Sequence, residues 1–144
     1  MKLVDPDETI VLVTGASADR DRELAGWLKR EIDRRGEGHA YRRGVTVVDD
    51  WYLDNRVLQH NPTIAIGGPG ANALTQAYIA DLTTVYSENE RVFVQADLEA
   101  EVKRVNLWGA DAASTAAAVD AFVVHGFLDD LLRRIWRFRM EMLV

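Results

Sequence analysis

The sequence predicts an α/β protein: a three-layer sandwich of the Rossmann-like kind, in which a mixed sheet lies between helices. An apolar run near the start of the chain is typical of a strand buried on both faces of a parallel sheet. Strand-like and helix-like segments then alternate through the first half of the chain. The second half has three strand-like segments with no helix between them, which indicates an antiparallel extension of the sheet.

The composition indicates one ordinary globular domain. The chain has 144 residues, of which 48% are hydrophobic and 28% are charged. A chain of this length buries roughly 68% of its unfolded surface. We therefore expect a single domain over residues 1–144 with one hydrophobic core.

The charge and the absence of cysteine exclude several kinds of partner and site. The formal net charge is −6, so a nucleic-acid backbone or an anionic lipid surface would be repelled on average. There is no cysteine, which excludes disulfides, zinc-thiolate sites and thiol nucleophiles. The first residues have no apolar stretch of secretory-signal length, and no run reaches the roughly 18 residues of a membrane span. We expect a cytoplasmic protein that binds neither nucleic acid nor membranes.

The first strand and helix follow from apolar spacing. Thr9–Thr14 is a β-branched and apolar run that Gly15 ends, and it predicts the central strand. The next segment is charged except for side chains at helical spacing, and Gly36 stops it. These apolar side chains are Leu24, Trp27, Leu28 and Ile32.

The next elements extend a parallel sheet. Gly44–Asp49 predicts a second strand, Tyr52–Gln59 a short helix, and Thr63 begins the third strand. Because βαβ crossovers are right-handed, we expect the order 2-1-3, with the crevice between strands one and three.

A glycine-rich turn follows the third strand. Gly67, Gly68 and Gly70 surround Pro69, which we place in the first turn of a helix, where its missing N–H is tolerated. This geometry suits an anion, a carboxylate or a close backbone contact. The apolar spacing that predicts the following helix comes from Leu74, Ala77, Tyr78 and Leu82.

The second half is predicted to extend the sheet and then to end in one long helix. Val85–Tyr86, Arg91–Gln95 and Lys103–Trp108 are the three strand-like segments. A helical pattern runs from Ala112 to Met140, with a possible kink at Gly126. The end of this pattern is apolar, which favours a homo-oligomer interface. Its large apolar side chains are Trp136, Phe138, Met140, Met142 and Leu143.

Two loops are expected to face each other at the carboxyl edge of the sheet, where α/β proteins bind ligands. They are Gly15–Asp19 and Gly67–Asn72. Ser17 either caps the first helix or offers a hydroxyl group, and Asp19 is the alternative cap. Asn72 either reaches into the crevice or braces the neighbouring loop.

A third loop and an acidic cluster complete the candidate edge. Gly109–Thr115 repeats the plan of the first loop, with Asp111 or Ser114 as the helix cap. Asp49 and Asp50 end the second strand, with Asp54 one turn later. Such carboxylates bind hard cations or sugar hydroxyls, although their commoner roles are to cap a helix or to face water.

No complete catalytic or cofactor-binding motif is present. The dinucleotide and phosphate-loop glycine patterns and the Gly-x-Ser-x-Gly elbow are missing, and the three histidines are isolated. The sequence therefore names no cofactor, no catalytic residue and no metal site. The predicted ligand-binding residues are Gly15, Ser17, Asp49, Gly67, Gly68, Gly70, Asn72 and Asp111.

Roughly residues 63–119 resemble the α/β domain of archaeal surface-layer proteins. The resemblance lies in the run Ile64–Thr75, the hairpin-like Arg91–Trp108, and Gly109 followed by Thr115–Val119. In that family a Gly-Gly-Pro-x-x-Asn turn, a polar hairpin and a Gly-x-x-x-x-x-Thr-x-x-Ala helix start occur in this order. The resemblance implies a structural or assembly role without known catalysis.

Three functions remain open from the sequence. The first is a non-enzymatic domain that binds a small molecule or a protein partner at the three-loop edge. The second is a self-associating scaffold, and the third is a nucleotide- or sugar-directed enzyme that uses Asp49 and Asp50. We rank the enzyme last, because no base, nucleophile or metal-ligand set accompanies these carboxylates.

Overall fold

A computed structural model describes the backbone of residues 4–143 and the side chains of residues 4–136. In chain order, the elements are β1 (Ile10–Thr14), α1 (Asp19–Arg35), β2 (Gly44–Val48), α2 (Asp49–Asp54), a 3-10 turn (Arg56–His60), β3 (Thr63–Ile66), α3 (Ala73–Tyr78), β4 (Thr83–Glu88), β5 (Val92–Asp97), β6 (Arg104–Gly109), α4 (Ala112–Val124) and α5 (Phe127–Leu143). None of the helices in this part of the chain is both long enough and apolar enough to cross a membrane.

The six strands form one mixed sheet in the order β2-β1-β3-β6-β5-β4. The predicted order 2-1-3 of the first three strands is confirmed, and these strands are parallel. The predicted antiparallel extension is also confirmed, because β5 pairs antiparallel with both β4 and β6. β6 in addition pairs parallel with β3, so it joins the extension to the parallel half of the sheet. β4 and β5 are joined by a tight hairpin in which Asn89 and Glu90 have φ values of 54° and 55°.

The two faces of the sheet carry separate apolar clusters. Alternate residues of a strand point to opposite faces, so Ile10 and Leu12 face one side while Val11 and Val13 face the other. Helices α1, α4 and α5 cover the first face, and α2 and α3 contribute Tyr52 and Leu74 to the second. This arrangement is the predicted three-layer sandwich.

The predicted long C-terminal helix is two helices. Gly126 has a φ of +83°, a left-handed conformation that only glycine adopts freely, and it lies between the end of α4 and the start of α5. A possible kink was predicted at Gly126 but not a complete break, because apolar residues continue at helical spacing on both sides of it.

The break directs α5 back towards the beginning of the chain. The Trp136 indole Nε1 donates a hydrogen bond to the Glu8 carbonyl at 2.9 Å, and the Arg42 guanidinium lies 5.7 Å from the Trp136 ring centroid. Trp136 therefore belongs to the core rather than to an exposed apolar tail. The side chains of Phe138, Met140, Met142 and Leu143 lie outside the described residues, so an oligomer interface there stays a prediction.

Candidate functional site

The loops after β1, β3 and β6 meet at the carboxyl edge of the sheet. A Cβ atom added to Gly15 would lie only 1.8 Å from the Ala71 carbonyl oxygen, so these two backbones are in direct contact. A Cβ atom on Gly68 would lie 3.6 Å from the Gly109 carbonyl oxygen. The three loops enclose a cleft of about 580 Å³, lined by residues 17–21, 68–71 and 108–112 together with Thr115.

The Gly67–Asn72 turn offers no open helix start to an anion. Asn72 is fully buried, and its Oδ1 accepts hydrogen bonds from the backbone N–H groups of Leu74 and Thr75. The Asn72 side chain also donates to the carbonyl groups of Val13 and Ile66, both at 2.9 Å. Of the two roles predicted for Asn72, the structure shows that it braces the neighbouring strands.

Pro69 also lies elsewhere than predicted. It belongs to a turn that precedes α3, in which the N–H groups of Ala71 and Asn72 donate to the Gly68 carbonyl. Helix α3 begins only at Ala73. Gly67 makes this turn possible, since its φ is +117°.

Asp49 has a bracing role at the same turn. It is buried, and its Oδ2 accepts from the N–H of Ala73 at 2.7 Å while its Oδ1 accepts from the N–H of Asp50 at 2.8 Å. The Asp49 carboxylate thus ties the end of β2 to the start of α3. No group of three or more histidine, aspartate or glutamate residues in the described part of the chain could hold a metal ion.

The start of α4 is capped as predicted, by Asp111. The Asp111 Oδ1 accepts from the N–H of Ser114 at 2.8 Å, and its other oxygen pairs with Arg91. The backbone hydrogen bond from Ser114 and the Arg91 guanidinium hold the pKa of Asp111 below its usual value. Thr115 completes this end, since its hydroxyl accepts from the N–H of Gly109 at 3.1 Å. Asp111 remains exposed at the rim of the cleft.

The start of α1, in contrast, has no side-chain cap. The residue at its N-cap position is Ala18, and the predicted capping roles of Ser17 and Asp19 are wrong. Asp19 is the first helical residue and pairs with Arg22. Ser17 is exposed on the cleft. The first N–H groups of a helix have no intrahelical acceptor, and no side chain of the N-cap residue caps those of α1.

Asp21 is the site residue that sequence reasoning missed. The residue as a whole is 8% exposed, and it lines the cleft. The carboxylate lies against Gly67, where an added Cβ would be 2.5 Å from Oδ2. No hydrogen bond or ion pair to this carboxylate occurs within the described residues, and burial raises the pKa of Asp21 above 3.8.

A signal for Asp21 was present in the sequence. Asp21, Ala25, Leu28 and Ile32 are spaced so that they share one stripe of α1, and all four are buried. An acidic residue that continues a buried apolar stripe is unusual, because an aspartate is almost never buried without a partner. The charged character of the whole first turn concealed this signal.

The fold and the site define an α/β protein with an open cleft at the carboxyl ends of its parallel strands. Compared with protein-family models and with curated proteins, the chain matches none of them. The resemblance to surface-layer proteins therefore stays a prediction from the glycine turn and the elements that follow it.

Proposed function

We propose that this chain is a non-enzymatic binding protein whose small-molecule ligand occupies the cleft between the starts of α1 and α4. The observation that carries the proposal is Asp21, a largely buried residue that lines this cleft and whose carboxylate has no hydrogen-bond or ion-pair partner among the described residues. A carboxylate that is largely removed from water and has no partner costs about 1–3 kcal/mol. A ligand that donates hydrogen bonds to Asp21 would offset this penalty.

The size and the shape of the cleft support a small molecule. A volume of about 580 Å³ falls within the range of roughly 300–1,000 Å³ that is typical of small-molecule sites. The cleft is concave and lies at the edge where open α/β sheets bind their ligands.

The side chains at the cleft support binding rather than catalysis. The Thr115 hydroxyl accepts from a backbone N–H, and Asp111 and Asp19 are paired with arginines. No histidine or lysine that could act as a base for the Ser17 hydroxyl lines the cleft, so we do not assign it the nucleophile and base pair of acyl or group transfer.

The proposal can be tested by nuclear magnetic resonance on the full chain labelled with ¹⁵N. The probes are panels of free amino acids, neutral sugars and nucleosides. We expect at least one class to shift the amide signals of residues 17–21, 68–71 and 108–112, and the shifts to be lost in Asp21→Asn. Asp120→Asn, which removes an exposed carboxylate from α4, is the matched control. Shifts confined to other surfaces, or none with any panel, would contradict the proposal.

A further inference from the structure

Two groups of opposite character are left unfilled in one turn of α1. The uncapped N–H groups at the start of the helix form its positive end, and the Asp21 carboxylate lies within the same turn. The residues of this first turn, 19–21, all line the same cleft. A ligand that fills both positions carries an acceptor, preferably anionic, and a donor, preferably cationic, a few ångströms apart.

We infer that the ligand is a zwitterion of the α-amino-acid class, with its carboxylate at the start of α1 and its ammonium group on Asp21; this inference rests on the proposed function. An α-amino acid carries both groups on one carbon atom. The ammonium group donates charge-assisted hydrogen bonds to a carboxylate that has none within the described residues. The ligand carboxylate accepts from N–H groups that no side chain caps.

Ligands with one kind of charge fit less well. A phosphate or a simple carboxylate would occupy the helix start but would be repelled by Asp21. A simple cation would pair with Asp21 but would face the positive end of α1. A neutral polyol offers donors and acceptors to both positions, yet its hydrogen bonds leave the buried charge without a counter-ion.

The charged side chains around this position are largely committed to one another. Asp19 pairs with Arg22 at the first turn of α1, and Asp111 pairs with Arg91 at the opposite rim. Arg20 is exposed on the cleft and adds positive charge beside the helix start. The two rim carboxylates are thus each paired with an arginine, whereas Asp21 has no such partner among the described residues.

The remainder of the lining favours an apolar ligand side chain. Ala18, Ala71, Ala110 and Ala112 present methyl groups, and the half-buried indole of Trp108 lies beside them. These groups offer no hydrogen bonds from their side chains, apart from the Trp108 Nε1 that already donates to Gln95. An aliphatic amino acid such as leucine is thus the appropriate first probe.

The test measures the affinity of the full chain for leucine and for two truncated analogues by calorimetry. 4-Methylpentanoate lacks the ammonium group, and leucinamide lacks the carboxylate. We expect leucine to bind with shifts at the cleft amides, and each analogue to bind about tenfold more weakly or worse. Asp21→Asn is expected to weaken leucine binding to a similar extent, and Asp120→Asn to leave it unchanged.

The analogue series keeps the test decisive even without the Asp21 variant, since it uses the unaltered protein. Equal affinity for leucine and either analogue, or leucine shifts away from the cleft, would overturn the inference. If amino acids fail but a sugar or a nucleoside binds at the cleft and requires Asp21, the inference fails and the proposed function stands. If no panel shifts the cleft amides, both fail.

Discussion

Replacing Asp21 with asparagine should make the protein more stable in the absence of ligand. Asp21 is 8% exposed as a whole residue, and its carboxylate has no partner among the described residues. Asparagine has nearly the same shape but no charge, so it removes the desolvation penalty without opening a cavity. A destabilising group held at a binding site is the usual form of the trade-off between stability and function.

The expected increase in stability is estimated from the cost of leaving the Asp21 carboxylate without a partner. Leaving such a group without a partner costs about 1–3 kcal/mol, so we expect Asp21→Asn to raise the free energy of unfolding by about 1–2 kcal/mol at neutral pH. For a chain of this size, each kcal/mol corresponds to about 2–4 °C in Tm.

The stability that Asp21→Asn adds should increase as the pH rises. Burial raises the pKa of Asp21 in the folded state above 3.8. At a pH below 3.8 the carboxyl group is protonated in the folded and in the unfolded state, so the variant and the parent should be equally stable. As the pH rises through the raised pKa, the parent loses stability that the variant keeps, so the difference between the two should grow and then level off.

Urea unfolding between pH 3 and pH 8 measures this difference directly. Asp120→Asn is the control, because it removes the same charge from an exposed position on α4 and should give no comparable gain. A variant that is less stable than the parent at neutral pH would refute the reasoning. So would a difference that does not change with pH.

Three further substitutions test the bracing of the site and the helix break. Gly15→Ala should cost about 1–3 kcal/mol, because its Cβ would overlap the Ala71 carbonyl oxygen, and it should perturb the amide spectrum of both loops. Asn72→Ala should cost about 3 kcal/mol or more in urea unfolding, since two strand carbonyls lose a donor and α3 loses its cap. Gly126→Ala should cost about 1 kcal/mol, measured as a fall in Tm, because its φ is +83°.

Each of these substitutions has a matched control in the chain. Gly70→Ala adds the same methyl group where no atom lies within 4 Å and should be nearly neutral, so an equal loss at both glycines would contradict the backbone contact. Asn55→Ala removes a side chain that makes a single hydrogen bond within the described residues, and a loss equal to that of Asn72→Ala would contradict the bracing role. Gly26→Ala lies inside α1 and should stabilise it; a gain in Gly126→Ala as well would contradict the left-handed break.

The sequence was sufficient for the class of fold and for the edge that carries the cleft. Thr9–Thr14 is apolar without alternation, which is the pattern of a strand covered on both faces, and β1 lies inside the sheet. The glycines at the ends of β1, β3 and β6 predicted that these loops approach closely, and the structure places them around one cleft.

The sequence could not assign the partners of individual polar groups. Asp49 and Asn72 are buried by contacts with residues far away in the chain, so local spacing cannot distinguish a bracing carboxylate or amide from one that faces a ligand. The place of β6 beside β3 was not predicted, for a related reason. The neighbour of β6 depends on how the β4–β5 hairpin folds back, and that is not encoded in the strand residues themselves.

The contact between Gly15 and Ala71 limits how this cleft could acquire new preferences. No side chain can be added at Gly15 without separating two loops, and a Cβ on Gly109 would lie 2.3 Å from that of Ser114. The glycines of the loops after β1 and β6 therefore cannot be replaced by larger residues without moving the backbone. Substitutions that alter which ligand the cleft prefers would therefore occur in the first turn of α1 and at the exposed residues before α4. Side chains can change there without displacing any backbone.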